Sequence, residues 1–317
     1  MAELKKTIFV TGASGCIGSY VLDFLLQREQ VDIHLLVRDL QKIPTSVSQN
    51  PHVFIHLGSL ETIEQQADIL SKTTHLIHIA TAWGDSEEAS QLNMVKTLEM
   101  FDACNPAILQ RIIYFSTASI LGAGNKVLEE AQGLGTGYIR SKYRAYMAIK
   151  KSAWANRVVT IFPTLVFGGD AHHPSSHISG GILSSLGYAK WIRFFYMDAT
   201  FHFMHAKDIA AITDYALDHE LPSSDLVVGQ GVQYGQDVIK LLCQWAHVPI
   251  WFQLKITPSL VFVLAKIFRV NLSSWDRFCI SNPHFSYNVV SPDMFGLPVS
   301  FLTLKDILED IKRTHTA

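Results

Sequence analysis

The feature that most constrains the fold of this chain is the run Thr7-Ile-Phe-Val-Thr11-Gly12-Ala-Ser14-Gly15-Cys16-Ile17-Gly18. A short β-branched stretch passes into three glycines spaced three apart and then into an amphipathic helical pattern. Each glycine has a physical task in that setting. Gly12 permits a tight turn, Gly15 lets the backbone approach a diphosphate, and Gly18 allows close packing of helix on strand. The amides at the start of the helix attract phosphate. A dinucleotide-binding turn is favoured over a purely structural one.

The rest of the chain repeats strand and helix patterns. Strands are predicted at residues 7–11, 32–37, 52–57, 75–80, 111–115 and 157–162. Helices are predicted at 16–29, 60–70 and 87–104, and again around Tyr138. Such alternation calls for an α/β fold: a Rossmann-like, doubly wound parallel sheet with right-handed crossovers. After Gly168 the pattern becomes irregular. Residues 169–187 read as a loop over a pocket, and helices follow at 236–247 and 303–314. The division expected is a dinucleotide-binding domain over 1–168, its sheet completed by later segments, and a smaller mixed substrate-binding lobe over 169–317.

The bulk properties exclude several alternatives. The 317 residues are 48% hydrophobic and carry a formal charge of −2, which gives no electrostatic reason to expect nucleic acid. Cys16, Cys104, Cys243 and Cys279 are scattered, so neither zinc nor a disulfide framework is indicated, and reduced cytoplasmic thiols are expected. His172, His173 and His177 have no carboxylate or cysteine at a firm ligand spacing, and no metal is expected. The first strand pattern leaves no room for a signal peptide. No apolar run reaches the ~18 residues of a membrane span. The nearest, 256–270, is broken by Pro258 and Lys266. It reads as a buried or substrate-covering helix in preference to a membrane-contacting one, with peripheral contact left open.

One stretch carries chemistry. In Tyr138-Ile-Arg-Ser-Lys142-Tyr143-Arg-Ala-Tyr146-Met-Ala-Ile-Lys150, a tyrosine precedes a lysine by four residues twice. That spacing puts phenol and cation on one helix face, where the cation lowers the phenol's pKa. In a doubly wound sheet the chemistry lies at the carboxyl ends of the strands. Tyr138, just after Gly133–Gly137, lies in the first helical turn at that edge. Tyr146 is about 12 Å further along the axis. Tyr138 and Lys142 are thus the candidates. Tyr146 and Lys150 read as packing and surface. Tyr143, about 140° around the helix from Tyr138, reads as packing too.

The glycine spacing after Thr11 and the Tyr138-x-x-x-Lys142 pair together resemble the extended branch of the short-chain dehydrogenase/reductase superfamily. Further matches are His75–Ala80, Phe115-Ser116-Thr117-Ala-Ser-Ile-Leu-Gly122, Pro163-Thr-Leu165-Val166-Phe-Gly168 and His205-Ala-Lys-Asp208, in the family's order along nearly the whole chain. The resemblance implies a catalytic triad of Thr117, Tyr138 and Lys142, with Ser116 adjacent and Ser119 a weaker choice. Tyr138 would be general acid in carbonyl reduction or base in alcohol oxidation, and Lys142 would also hold the nicotinamide ribose. Asn93 would orient the central helix, and His78 would pass beside the cofactor as a core residue. The implied cofactor contacts are Gly12, Ser14, Gly15, Cys16, Ile17, Gly18, Arg38, Ser59, Leu60, Ala80, Thr81, Ala82, Ser116, Tyr138, Lys142, Pro163, Leu165 and Val166. Arg38, directly after the second strand, favours NADP, whereas Asp39 keeps NAD open. Members often dimerise through helices corresponding to those beginning near Glu87 and Tyr138, so a homodimer is expected.

For the substrate, the resemblance separates three chemistries. Dehydratases of this family carry an Asp-Glu pair after the threonine. Here Ala118-Ser119 stand there, which argues against that chemistry. Epimerases grip a pyrophosphate with arginines, and Arg193, Arg269 and Arg277 stand in no matching context. The C-terminal lobe is rich in rings, among them Trp191, Phe194, Trp251, Phe252, Phe262, Phe268 and Trp275. Most read as core, yet such a lobe favours an apolar ligand. A diffuse similarity of the tail to 3β-hydroxysteroid dehydrogenases and flavonoid or cinnamoyl reductases points the same way. The expectation is an NADP-preferring oxidoreductase acting on a hydroxyl or keto group of a mostly apolar small molecule. A nucleotide-sugar epimerase with tightly bound NAD is the first rival, and a non-catalytic NAD(P)-binding sensor the second.

Overall fold

The computed structural model describes residues 5–81 and 92–316. Six parallel strands follow the predicted alternation: β1 (Lys6–Thr11), β2 (Val31–Val37), β3 (Val53–Leu57), β4 (His75–His78), β5 (Arg111–Phe115) and β6 (Val158–Pro163). A later strand, Asp225–Val228, completes the sheet, in the order Asp225–Val228, β6, β5, β4, β1, β2, β3. β1 pairs with β2 on one side and β4 on the other, all parallel. The winding reverses between them, and the crevice at such a reversal is where these sheets bind ligand.

Parallel strands covered on both faces carry continuous apolar runs, and Ile8, Phe9 and Val10 form such a run at the centre of β1. Ile8 and Val10 face a core shared with Val21, Leu25, Ile209 and Ile212. Phe9 faces the other layer with Leu76, Phe101, Ile112 and Tyr114. The helix Cys16–Leu25 packs on the helix Ala206–Asp218, and Arg28 ties their ends by ion pairs to Asp214 (2.6 Å) and Asp218 (2.5 Å). In the motif beginning at His205, buried Asp208 accepts the backbone amides of Ser300 (2.8 Å) and Phe301 (3.2 Å). That carboxylate therefore fastens the C-terminal segment to the sheet domain.

Several boundaries differ from expectation for identifiable reasons. The first helix ends at Leu25, with left-handed Gln30 (φ 56°) turning the chain into β2. Residues 60–70 form a 3-10 stretch, Leu60–Gln66, broken at Thr62, followed by the short helix Ala67–Leu70. The predicted helix 87–104 is described from Leu92 onward, opening with a π-type turn over Leu92–Lys96. Within the supposed loop 169–187, a helix runs from His177 to Ser185. Ser176 starts it, accepting the Ser179 amide at 3.0 Å. Around Pro258–Ile267 the reading as a buried helix is overturned, since none of that helix's residues is buried.

Candidate active site

The turn after β1 is built for close approach. Gly12 has φ +82°, and a Cβ there would meet the Ala80 amide nitrogen at 2.6 Å. A Cβ at Gly18 would meet the Gly12 carbonyl oxygen at 2.1 Å. Gly15 caps the helix Cys16–Leu25 without any side-chain acceptor, so the first-turn amides keep their capacity for an anion. Thr11 seals the floor. Its hydroxyl contacts His78 Nδ1 (2.7 Å), and His78 Nε2 contacts Thr97 (2.8 Å). Burial, with the Lys142 charge nearby, pushes His78 down to about 3. His78 is thus a neutral core connector.

One cavity of about 830 Å3 spans the crevice. All the expected cofactor contacts that fall among the described residues line it, from Gly12 to Val166. Ala82 lies outside those residues. Thr117, Tyr138 and Lys142 line the same cavity. Pro174–Ile178, within the stretch expected to lie over a pocket, also line it, and reasoning from sequence missed the contribution of Lys42 at the ribose end. Lys42 shares the β2 end with Arg38, the signal that could have found it.

At the ribose end, Asp39 accepts the Gln41 amide at 3.0 Å and caps a short 3-10 turn. Arg38 and Lys42 line the cavity, and Asp39 does not. The loop before His177 is anchored to the glycine-turn helix. His173 hydrogen-bonds Asp170 and Asp23 at 2.8 Å each and stacks on Tyr20 at 3.8 Å. Tyr20 donates to Asp170 at 3.1 Å.

The central helix Gly137–Lys151 is capped by Thr136, whose hydroxyl accepts the Ile139 amide at 3.4 Å. Tyr138 stands in its first turn and Lys142 one turn on. Thr117 hydrogen-bonds the Tyr138 phenol and contacts Ser119 at 3.3 Å. Lys142 is 3% exposed, donates to the Phe115 carbonyl at 2.7 Å, and lies 5.1 Å from the centre of the Tyr114 ring. Buried Asn93 accepts from Thr81 (3.2 Å) and donates to Ser141 (3.0 Å), whose hydroxyl bonds the Tyr138 carbonyl (2.7 Å). It therefore fixes the helix start against β4. Tyr146 is buried and donates to Asp225 at 2.9 Å, and Lys150 pairs with the same carboxylate at 2.9 Å.

Burial dominates the electrostatics. It pushes the Tyr138 phenol up to about 12 despite the Thr117 hydrogen bond, and pushes Lys142 down to about 7. The sign at Tyr138 is opposite to that expected from a neighbouring cation, because the low-dielectric wall penalises both ionised forms. Burial thus favours the protonated phenol. The Ser116 hydroxyl is buried against the cavity and has no hydrogen-bond partner among the described residues. That orphan, the bare helix start and the turn that only glycine fits all suit a bound dinucleotide.

Fold and glycine turn together define a dinucleotide-binding protein built on a doubly wound sheet. Residues 8–229 match the model of the NAD dependent epimerase/dehydratase family, and the chain belongs to that family. It is an NAD(P)-dependent enzyme of the extended short-chain dehydrogenase/reductase type. Among curated relatives, GDP-mannose 4,6-dehydratase of Vibrio cholerae is 24% identical over 271 residues, covering 77% of this chain and 72% of that protein. Bordetella bronchiseptica WbmG in complex with NAD superposes with a TM-score of 0.70 at 17% identity, covering 99% of this chain and 95% of that one. UDP-glucose 4-epimerase of Thermus thermophilus, also with NAD, gives 0.64 at 14% identity, covering 98% and 99%. At such identities the two solved structures establish the fold.

Proposed function

We propose that this enzyme interconverts a hydroxyl and a keto group on a mostly apolar small molecule, with NADP preferred over NAD. The nicotinamide group, when bound, donates or accepts the hydride. In the reducing direction, Tyr138 holds a proton at its phenol oxygen and passes it to the substrate oxygen as the carbonyl becomes a hydroxyl. Thr117 holds that oxygen beside the phenol. Lys142, one helical turn on, is the cation on the same cavity wall that would stabilise the phenolate left behind. Gly12, Gly15 and Gly18 admit the diphosphate, and Arg38 with Lys42 would receive a 2′-phosphate.

The observation carrying this reading is the convergence of Tyr138, Thr117 and Lys142 on the wall of the cavity that the glycine turn floors. The cations lining that cavity are Arg38, Lys42 and Lys142, two at the ribose end and one bonded to Phe115. Residues 163–178 of the cavity wall contribute no Lys or Arg to grip a sugar-nucleotide pyrophosphate. Arg193 is sandwiched between Phe194 and Trp251, 4.5 Å from each ring centre. Leu165, Val166, Pro174 and Ile178 line the cavity instead.

The test is net turnover of free NADPH, read at 340 nm against a panel of apolar ketones and aldehydes. Turnover supports the reading. A second reading, nucleotide-sugar epimerase, is favoured by the fold match to UDP-glucose 4-epimerase. Purification with tightly held NAD and no net redox turnover would establish it in place of the first. A homodimer through the helix Gly137–Lys151 and the helix packed beside it is part of the same reading, and light scattering checks it.

A further inference from the structure

The helix Pro258–Ile267 breaks the rule that an apolar helix is buried. It is properly formed. Thr257 caps it by accepting the Leu260 amide at 3.3 Å, Pro258 occupies its first turn, and left-handed Arg269 (φ 53°) ends it. One face, with Val261, Phe262 and Ala265, is partly covered, and the helix packs beside Ser274–Ser281, with Arg277 over the Phe262 ring at 5.9 Å. The other face carries Leu260, Val263, Leu264, Ile267 and Phe268, at the i, i+3, i+4, i+7, i+8 spacing of a core stripe. All five are exposed, Ile267 at 65% and Phe268 at 73%. The exposure continues into the segment before the helix, at Trp251, Phe252 and Leu254. None of these side chains lines the cofactor cavity, so the stripe is not a lid on that site.

Charge indicates what covers it. The chain as a whole is slightly acidic, yet no Asp or Glu occurs between Asp237 and Asp276. Within that span stand Lys240, Lys255, Lys266 and Arg269. Lys266 and Arg269 flank Ile267 and Phe268, and among the described residues neither has a carboxylate partner. At 1.5 Å per residue the helix is about 15 Å long, half of the ~30 Å needed to cross a bilayer. A short, capped, apolar helix edged by cations fits the interfacial plane of an anionic lipid surface. A second copy docking through this segment would offer no carboxylate to Lys266 or Arg269.

We propose that the helix Pro258–Ile267 docks this enzyme onto anionic membrane surfaces, with the Leu260–Phe268 stripe inserted at the headgroup boundary. The inference stands apart from the reaction proposed above. The test is flotation of the purified full chain with vesicles of phosphatidylcholine alone or with one quarter phosphatidylglycerol. The expected result is binding to the anionic vesicles, weakened by 0.5 M salt. The variant Ile267→Glu/Phe268→Glu should lose binding, and Lys266→Ala/Arg269→Ala should weaken it by more than about tenfold. Melting temperature and NADPH binding report that the variants remain folded. Absence of the parent protein from floated anionic vesicles overturns the proposal. So does equal binding by the Glu variants. Light scattering that shows a dimer dissolved by Ile267→Glu/Phe268→Glu, without vesicle binding, assigns the stripe to a second copy and also overturns it.

Discussion

A lysine sits in the core of this molecule and a phenylalanine stands in the open. Lys142 is 3% exposed and Phe268 is 73% exposed. Around the sheet, one set of buried polar groups is paired: Thr11 with His78, His78 with Thr97, Asn93 with Ser141, Lys142 with Phe115. Along the helix Pro258–Ile267, apolar groups at core spacing are exposed. Each inversion costs stability, and each falls where a chain departs from folding logic for the sake of binding. On the proposed reading, the first gathers polar groups beside the cofactor cavity. The second leaves the surface proposed to meet a membrane.

The largest way to break this comparison is at the phenol. Tyr138→Phe removes the proton donor while leaving the ring, and activity should fall by roughly 1000-fold with NADPH affinity and melting temperature unchanged. Steady-state kinetics and fluorescence titration check it. If the variant stays active, the polar side of the comparison is only architecture. Next, Arg38→Ala should weaken NADPH binding by about 10- to 100-fold, the loss of a charge-assisted contact, and leave NADH binding alone. Parallel titrations with both cofactors decide it. Gly12→Ala should destabilise the fold by about 1–3 kcal/mol, because the residue sits at φ +82° with the Ala80 amide against it. Denaturant unfolding measures this.

The Lys142 prediction concerns pH. Burial depresses its folded-state value to about 7, below the ordinary lysine value. Between pH 7 and the unfolded value the unfolded chain binds the extra proton, so this group makes stability rise with pH across that window. Unfolding of Lys142→Met should lack this rise when compared with the parent from pH 7 to 8.5. The smallest effect lies at the outer face. Phe268→Ser, without membranes present, should change stability by no more than about 0.5 kcal/mol, because its ring is already in water. A larger loss would mean that the stripe is packed in solution.

The two regions also differ in how far their sequence disclosed them. The sheet was readable because short apolar runs, glycine spacing and helix periodicity are local signals. β5 falls where residues 111–115 place it, and Tyr138 enters the first turn of its helix as the crossover requires. The helix His177–Ser185 was hidden because Gly180 and Gly181 lower its propensity. Tertiary contacts restore it, including the Ser179 hydroxyl that accepts the Gly168 amide at 3.0 Å. Composition could show that residues 256–270 are apolar but not whether anything covers them, since burial belongs to the whole fold. The upward shift of Tyr138 was likewise invisible, because spacing reports a neighbouring cation and not the dielectric around both groups.

The most direct measurement is NADPH oxidation by the parent enzyme and by Tyr138→Phe against one accepted carbonyl substrate, with NADPH affinity determined for both. The account predicts turnover by the parent, a loss of roughly 1000-fold in the variant and equal affinities. Equal turnover by both proteins would contradict it.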